Sequence, residues 1–517
     1  MENVMLITVI VSSLLLVWCA AKVFHSLWWK PKSVEKHLKQ QGIKGTPYKF
    51  LHGDLKEYSN MFIETWSKPL NLTHCIVPYV IPFFNKIVQT HGKITFFWLG
   101  TTPTLIIKDL ELVKDILSEK FGKVQKPPEN PHIKLLTMGL STMEGEKWFK
   151  HRKIVTPSFH IEKLKGMMPA FSTSCSKLIE KWKKMVSPQG SHELDVWPDI
   201  QTFSSDVISR TAFGSNYEEG KRIFELQKEQ AVLVLEAFKS VYIPGFRFIP
   251  TKKNRRRTNL DKEIKAKLRS LIERKVQAIR NGDTDDDDLI GMLLQSSNQY
   301  SIEATDPKVN GMTIDEVIEE CKLFYFAGQE TSSTWLTWTM VVLAMHPSWQ
   351  EKAREEVLRV CGKDTPKFEN LNHLKIVTMI LHEVLRLYPS VIHQFRYTST
   401  KIKIGEFSLP AGVHLILPTL LINHDHEVWG DDADEFRPER FSEGIAKASK
   451  DHVAYFPFGW GPRICVGQNF AMIEAKMALA MILQHFAFQL SPSYAHAPYT
   501  VITLQPQHGA QIILHRL

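Results

Sequence analysis

The chain has 517 residues, with 64 Lys and Arg against 55 Asp and Glu, a formal net charge of +9. A hydrophobic share of 44% excludes a disordered chain, and a mean hydropathy of −0.17 argues against several membrane spans. Six cysteines over this length make no disulfide framework. At about 100–200 residues per domain, length alone would hold two to four domains.

The first element is an uncharged run from Val4 to Ala21, VMLITVIVSSLLLVWCAA. With a rise of about 1.5 Å per residue it falls slightly short of a hydrocarbon core of about 30 Å. Val23, Phe24 and Leu27 extend it, Lys22 can snorkel, and Trp28 and Trp29 read as an interfacial belt. A cleaved signal peptide is the alternative, with Cys19-Ala20-Ala21 as its cleavage site. The charge order speaks against that. Glu2 precedes the run, and Lys22, Lys30, Lys32, Lys36 and Lys39 follow it. The positive-inside rule then keeps the body cytosolic, the cysteines reduced and the sequon Asn71-Leu72-Thr73 unglycosylated.

Lys30-Pro31-Lys32 and the turn residues Gly42 to Pro47 predict a stiff basic linker. The chain thus divides into an anchor (1–29), a hinge (30–50) and a body (51–517). ITFFWL and TLII, between Ile94 and Ile107, predict strands. Helical patterns fill about 109 to 390. The basic cluster Lys252, Lys253, Arg255, Arg256 and Arg257 predicts a wet loop, with a membrane-surface contact as the alternative. Asp283 to Asp288 predicts a solvated loop. Tyr499 to Leu504 and Gln511 to Leu514 predict strands separated by a Pro/Gly turn. The pattern implies one mainly α (α+β) body with small β-sheets.

Phe458 to Gly467, FGWGPRICVG, is a Gly-rich loop presenting one Cys before a helical pattern that starts near Asn469. Amides at a helix N-terminus favour the thiolate. That thiolate could be a nucleophile or a metal ligand. A nucleophile would need a nearby base, which the loop does not supply. A lone Cys is ordinarily a buried small hydrophobe, but that explains neither the glycines nor Arg463.

The segment resembles the haem-binding loop of the cytochrome P-450 superfamily, F-x-x-G-x-R-x-C-x-G. Phe458, Gly461, Arg463, Cys465 and Gly467 fill its five fixed positions. The resemblance implies that Cys465 is the axial thiolate of haem iron, which favours O–O cleavage.

Thr313 to Met345 predicts a long helix opened by a capping box, Thr313 to Glu316, and ended by Pro347. Its centre reads Ala327-Gly328-Gln329-Glu330-Thr331. Alone this would be a Gly kink with Thr331 bonded to a carbonyl one turn back. It also resembles the superfamily's oxygen-activation motif, which implies that Glu330 and Thr331 relay protons. Glu383 and Arg386 lie i, i+3 on a helix that Pro389 ends. E-x-x-R alone is an ordinary surface pair. With the downstream Phe436 to Phe441, FRPERF, it resembles the superfamily's structural network, implying that Glu383, Arg386 and Arg440 scaffold the haem. Trp148 and Arg152 share a helical face, as a cation–π pair would. The superfamily's W-x-x-x-R implies instead that both meet a haem propionate, with Arg463 and Arg396 as further partners.

The resemblance covers essentially the whole chain. It is strongest to the plant clan numbered seventy-two, through QGIKGTPY, HRKIVTPSFH, CKLFYFAGQET, FGWGPRICVGQNFA and APYTVITLQP. Ser390 departs from it, standing where many relatives have a second proline. The resemblance implies a haem b monooxygenase on the endoplasmic reticulum membrane. It would be a single-pass monomer facing the cytosol, using O2 and NADPH electrons from a separate NADPH–cytochrome P-450 reductase. No internal dinucleotide fingerprint occurs, and the +9 charge suits an acidic redox partner rather than nucleic acid. The implied substrate is a lipophilic terpenoid, of triterpenoid or iridoid type. Alternatives are a hormone-inactivating hydroxylase (gibberellin, brassinosteroid or cytokinin) and a reductase-independent lyase or isomerase. The family's pocket would be lined by Pro131 to Met138, Phe324 to Ala327, Val391 to Phe395 and Val501 to Thr503.

Overall fold

A computed structural model describes residues 2–119, 122–128, 131, 133–136, 138–188, 190–238, 248–282, 288–297, 311–449 and 454–517. Helices dominate, and small sheets flank them, as the sequence pattern implies. The apolar run is helical over Glu2–Phe24, passes through a π-helical turn at His25–Trp29 and continues as a helix over Lys30–Gln40. Its apolar side chains are exposed, and by length and composition it can cross a membrane.

The first part of the expected linker is therefore helical, ahead of the turn residues Gly42 to Pro47. Pro31 is the obstacle to a continuous helix, because it cannot donate to the carbonyl of Leu27. The Tyr48 hydroxyl donates to that oxygen instead, at 2.5 Å, and the preceding turn widens to π geometry. Leu38 is fully buried, and Glu35, which pairs with Lys32 and Lys39 within the helix, also accepts from the Tyr48 amide at 3.2 Å, which seats this helix on the body.

The body is built around the helix Ile314–Met345. Thr313 accepts from the Glu316 amide, and the Glu316 carboxylate accepts from the Thr313 amide. Nearly all of this helix is buried, and the helix Val196–Phe213 packs along it. The approach is close because Gly328 has no side chain: a Cβ there would lie 2.7 Å from Ile208 Cδ1 and Cγ1. Gly328 thus serves helix packing as well as the local geometry of its motif.

The basic cluster expected as a loop opens the helix Lys252–Asn281. Thr251 caps it by accepting from the Asn254 amide, and Lys and Arg are good helix formers. Lys253 and Arg256 reach Glu236 and Glu229 of the helix Tyr217–Phe238 at 2.6 Å each, while Arg257 turns inward to the Leu233 carbonyl. Of the acidic run, 283–287 lie outside the described residues. Asp288 caps the helix Leu289–Gln295 by accepting from the Gly291 amide at 2.9 Å.

The largest sheet runs in space Lys44–Gly45, Ile94–Leu99, Thr102–Ile107, His414–Leu417, Gln394–Thr398 and Val124–Gln125. The expected strand Tyr499 to Leu504 is instead a hairpin, Pro498–Val501 against Thr503–Pro506, turning at Ile502. A β-branched turn residue gives no sequence signal. Gln511–Arg516 pairs elsewhere, between Phe486–Leu490 and Ser191–Asp195.

Candidate active site

Cys465 lies in the loop directly before the helix Gln468–His485. Its amide donates to the Phe458 carbonyl at 2.8 Å and closes the loop on itself. Gly461 has φ 69°, and a Cβ there would lie 2.3 Å from the Leu117 carbonyl oxygen, so both conformation and space demand glycine. The Phe458 ring stands 6.0 Å from Trp335 on the central helix. Gly467 is the residue before the helix, and its amide points toward the thiol.

The Cys465 side chain is accessible, although many protein atoms lie around it. Burial pushes the thiol pKa up, while the Gly467 amide and Arg152 pull it down. Burial wins. A thiol held this way becomes a thiolate when a cation binds it. Among the described residues no cluster of His, Cys, Asp and Glu could hold a metal ion by itself. A single sulfur ligand on an iron carried by its own macrocycle fits that donor set.

Enclosed positive charge gathers beside it. Arg152, on the helix Gly145–Val155, donates to the Ile464 carbonyl at 2.8 Å. Arg463 donates to the Met143 carbonyl at 2.8 Å and pairs with Glu144. Its guanidinium lies 4.1 Å from the Trp148 ring, so Trp148 stacks with Arg463 and not with Arg152. Arg396 is buried and donates to the Phe395 carbonyl at 2.8 Å; burial, and then Arg463, push its pKa down to about 10. Lys126 was missed in the sequence. Burial, then Arg396 and Arg463, push its ammonium down to about 7 against the pull of Glu144. Lys126, Arg396 and Arg463 thus share the Glu144 carboxylate, with Arg152 beside Arg463, and this imbalance fits a ligand carrying two carboxylates.

Glu330 and Thr331 are neighbours in sequence with different partners. Thr331 Oγ donates to the Ala327 carbonyl at 2.8 Å, and its own carbonyl accepts from Ser390 Oγ at 3.0 Å. Ser390, the departure from the resemblance, therefore braces the motif. Glu330 is buried and accepts from Thr503 Oγ at 2.8 Å and from Gln505 Nε2. Burial raises its pKa, against those hydrogen bonds and Lys228. A second carboxyl lies near by. Glu474, on the helix after Cys465, is fully enclosed and pushed up to about 8 by burial, while Ser332 and Ser204 hydrogen bonds oppose. Ser204 Oγ donates to it at 2.8 Å and lies 3.4 Å from the Gly328 carbonyl. Its sequence signal was a Glu within the otherwise apolar run Ala471 to Leu483, shared only with Lys476.

Glu383 and Arg386, on the helix Lys375–Leu387, are fully buried rather than a surface pair, with contacts of 2.7 and 2.8 Å. Arg440 Nε reaches Glu383 at 3.4 Å and its Nη2 reaches Asp432 at 2.7 Å. The structure brings these three residues together.

Three of the four expected pocket stretches meet. Leu136, Phe326 and Ile502 join Ala231 and Val234 in an apolar cluster separate from the main core. Positions 132 and 137 lie outside the described residues.

The cytochrome P450 family model matches residues 80–512. The chain belongs to the cytochrome P450 family. It is 54% identical to cytochrome P450 CYP72A616 of Paris polyphylla, over 97% of this chain and 96% of that protein. It is 54% identical to cytochrome P450 CYP72A219 of Panax ginseng, over 98% and 97%. It is 47% identical to secologanin synthase 1 of Catharanthus roseus, over 98% and 96%. This cytochrome P450 is thus an oxidoreductase, a monooxygenase of the 72A type. The family implies a haem-thiolate cofactor and a redox partner, and the N-terminal helix fits a single membrane anchor.

Proposed function

We propose that this monooxygenase hydroxylates a rigid lipophilic terpenoid, of triterpenoid or iridoid type, at the endoplasmic reticulum membrane with its body in the cytosol. Electrons come from NADPH through a separate reductase, and the cofactor is haem b. The observation that carries the reading is the Cys465 loop, shaped by Gly461 and flanked by Arg152 and Arg463, and the apolar cluster whose Phe326 adjoins the Ala327–Thr331 motif of the central helix supports it. The similarity to secologanin synthase 1 favours a terpenoid.

When bound, the haem supplies dioxygen activation, which its thiolate ligand favours. Cys465 Sγ would hold the iron. Arg152, Arg396, Arg463 and Lys126, with Trp148, would orient the two propionates. The apolar cluster excludes water and orients the substrate by shape. Thr331 Oγ, held on the Ala327 carbonyl, would move a proton toward the oxygen site, and Glu330, whose burial shifts it toward the neutral form, would pass protons to it. Glu383, Arg386 and Arg440 would form the structural network that scaffolds the haem site.

Co-expression with a plant reductase and feeding of triterpene, iridoid and hormone scaffolds tests this. Hydroxylated terpenoid with NADPH-dependent turnover is expected. Turnover confined to gibberellin, brassinosteroid or cytokinin overturns the substrate class. Turnover without NADPH and reductase overturns the proposed electron supply.

A further inference from the structure

The hairpin Pro498–Val501/Thr503–Pro506 turns on one residue, Ile502, at φ 70°. A β-branched residue resists this left-handed conformation, because its Cβ crowds the backbone. Among the described residues Leu51 is the one other non-glycine with positive φ. Such strain persists where surrounding contacts over-determine the backbone.

Here the contacts come from the central helix and its neighbour. Thr503 Oγ donates to Glu330 Oε1 at 2.8 Å, and Gln505 Nε2 donates to the same oxygen. Thr334 Oγ donates to Thr503 Oγ at 3.3 Å. Trp338 Nε1 donates to the Leu504 carbonyl at 2.6 Å, and the Leu504 amide donates to the Ser390 carbonyl at 3.1 Å. The returning strand is therefore pinned, and Ile502 packs against the cluster of Leu136, Ala231, Val234 and Phe326.

We infer that Glu330 is a positioning residue for substrate: through Thr503 and Gln505 it holds the hairpin tip, so that Ile502 presses on the apolar cluster of Leu136, Ala231 and Val234 and decides how a rigid apolar ligand lies against it. This rests on the haem-thiolate reading above and adds a second role to the same carboxyl. The two roles have different chemical needs. The clamp needs a hydrogen-bond acceptor at position 330, which Gln supplies. Proton transfer needs an ionisable group, which Gln lacks.

The test uses the full-length holoenzyme with Glu330→Gln, Glu330→Ala, Ile502→Gly and the double variant Thr503→Val/Gln505→Met. The probes are imidazole, which is small, and 1-phenylimidazole, which adds a rigid apolar ring; both are titrated by haem absorbance. Hydrogen exchange of the amides of 498–506 is measured in parallel and needs no haem. Loss of the clamp is expected to speed exchange there about tenfold in Glu330→Ala and in the double variant. The affinity ratio of 1-phenylimidazole to imidazole is expected to shift about fivefold in those two and in Ile502→Gly. Glu330→Gln keeps both readouts within twofold of the parent while its turnover falls. The inference is overturned if the double variant leaves exchange and ratio unchanged, or if Glu330→Gln behaves as Glu330→Ala in both. Should Glu330→Ala fail to fold, the double variant decides the result. A parent protein that gives no haem–azole spectrum overturns the haem reading, whereas the exchange data still judge the clamp.

Discussion

Replacing Arg386 by Met keeps an unbranched apolar stem and removes the charged guanidinium. In the structure Arg386 is fully buried and donates two bonds to Glu383, at 2.7 and 2.8 Å. It also donates to the carbonyls of Asn423 at 2.8 Å, Ala433 at 2.6 Å and Glu435 at 3.0 Å. The variant leaves three carbonyls without this donor. Glu383 keeps the Arg437 amide at 2.9 Å and Arg440 at 3.4 Å, so it is weakened but not stranded. Breaking a buried pair in this way costs about 3–5 kcal/mol. At about 2.1 cal/mol/K per residue, a domain of this size has an unfolding entropy near 1 kcal/mol/K. The thermal midpoint should then fall by about 3–5 °C, with parallel loss of haem-loaded protein on expression. Lys restores the charge but not the planar fork, so Arg386→Lys recovers only part of the loss. The assay is a thermal melt of purified holoprotein with haem content measured alongside. A drop below about 1 °C for Arg386→Met would refute the reasoning, because the network would then contribute no more than an exposed pair.

Cys465→Ser should abolish the red-shifted Soret band of the reduced protein with carbon monoxide, and retention of that band would remove Cys465 as the ligand. Thr331→Ala should leave NADPH consumption near the parent rate while product per NADPH falls about tenfold, as measured by coupled oxidation and product assays. Glu474 has its folded pKa raised to about 8, so its neutral form stabilises the fold fully below about pH 4.5, and that stability is lost as pH rises through 8. The parent midpoint should fall between pH 6 and 9, and Glu474→Gln, which can still accept from Ser204, should flatten the decline. Gly328→Val should drive a side chain into Ile208 and cost about 1–3 kcal/mol or more, read as a lower melting temperature.

The cysteine loop, the central helix with its capping box and the buried-pair motif were legible because each is local. Fixed spacing along a loop or one helical face carries its own geometry, as in Thr313 with Glu316 or Glu383 with Arg386. Lys126 and Glu144 were not legible. Their importance arises from chain segments far apart in sequence that enclose one patch of charge, and no spacing rule encodes that. The helical start of the hinge was hidden for a similar reason: the partner that tolerates Pro31 is the Tyr48 hydroxyl on a later loop.

The sequence by itself determined the family, the cysteine loop and an apolar N-terminal helix ahead of a helical body. Those follow from residue identity, hydropathy and short periodicities, which survive without a fold. Only the tertiary structure decided which cation stacks on Trp148, where Glu330 points and that Ile502 turns a hairpin. These depend on burial and on hydrogen bonds across hundreds of residues, where the cost of an unpaired buried group selects the partner.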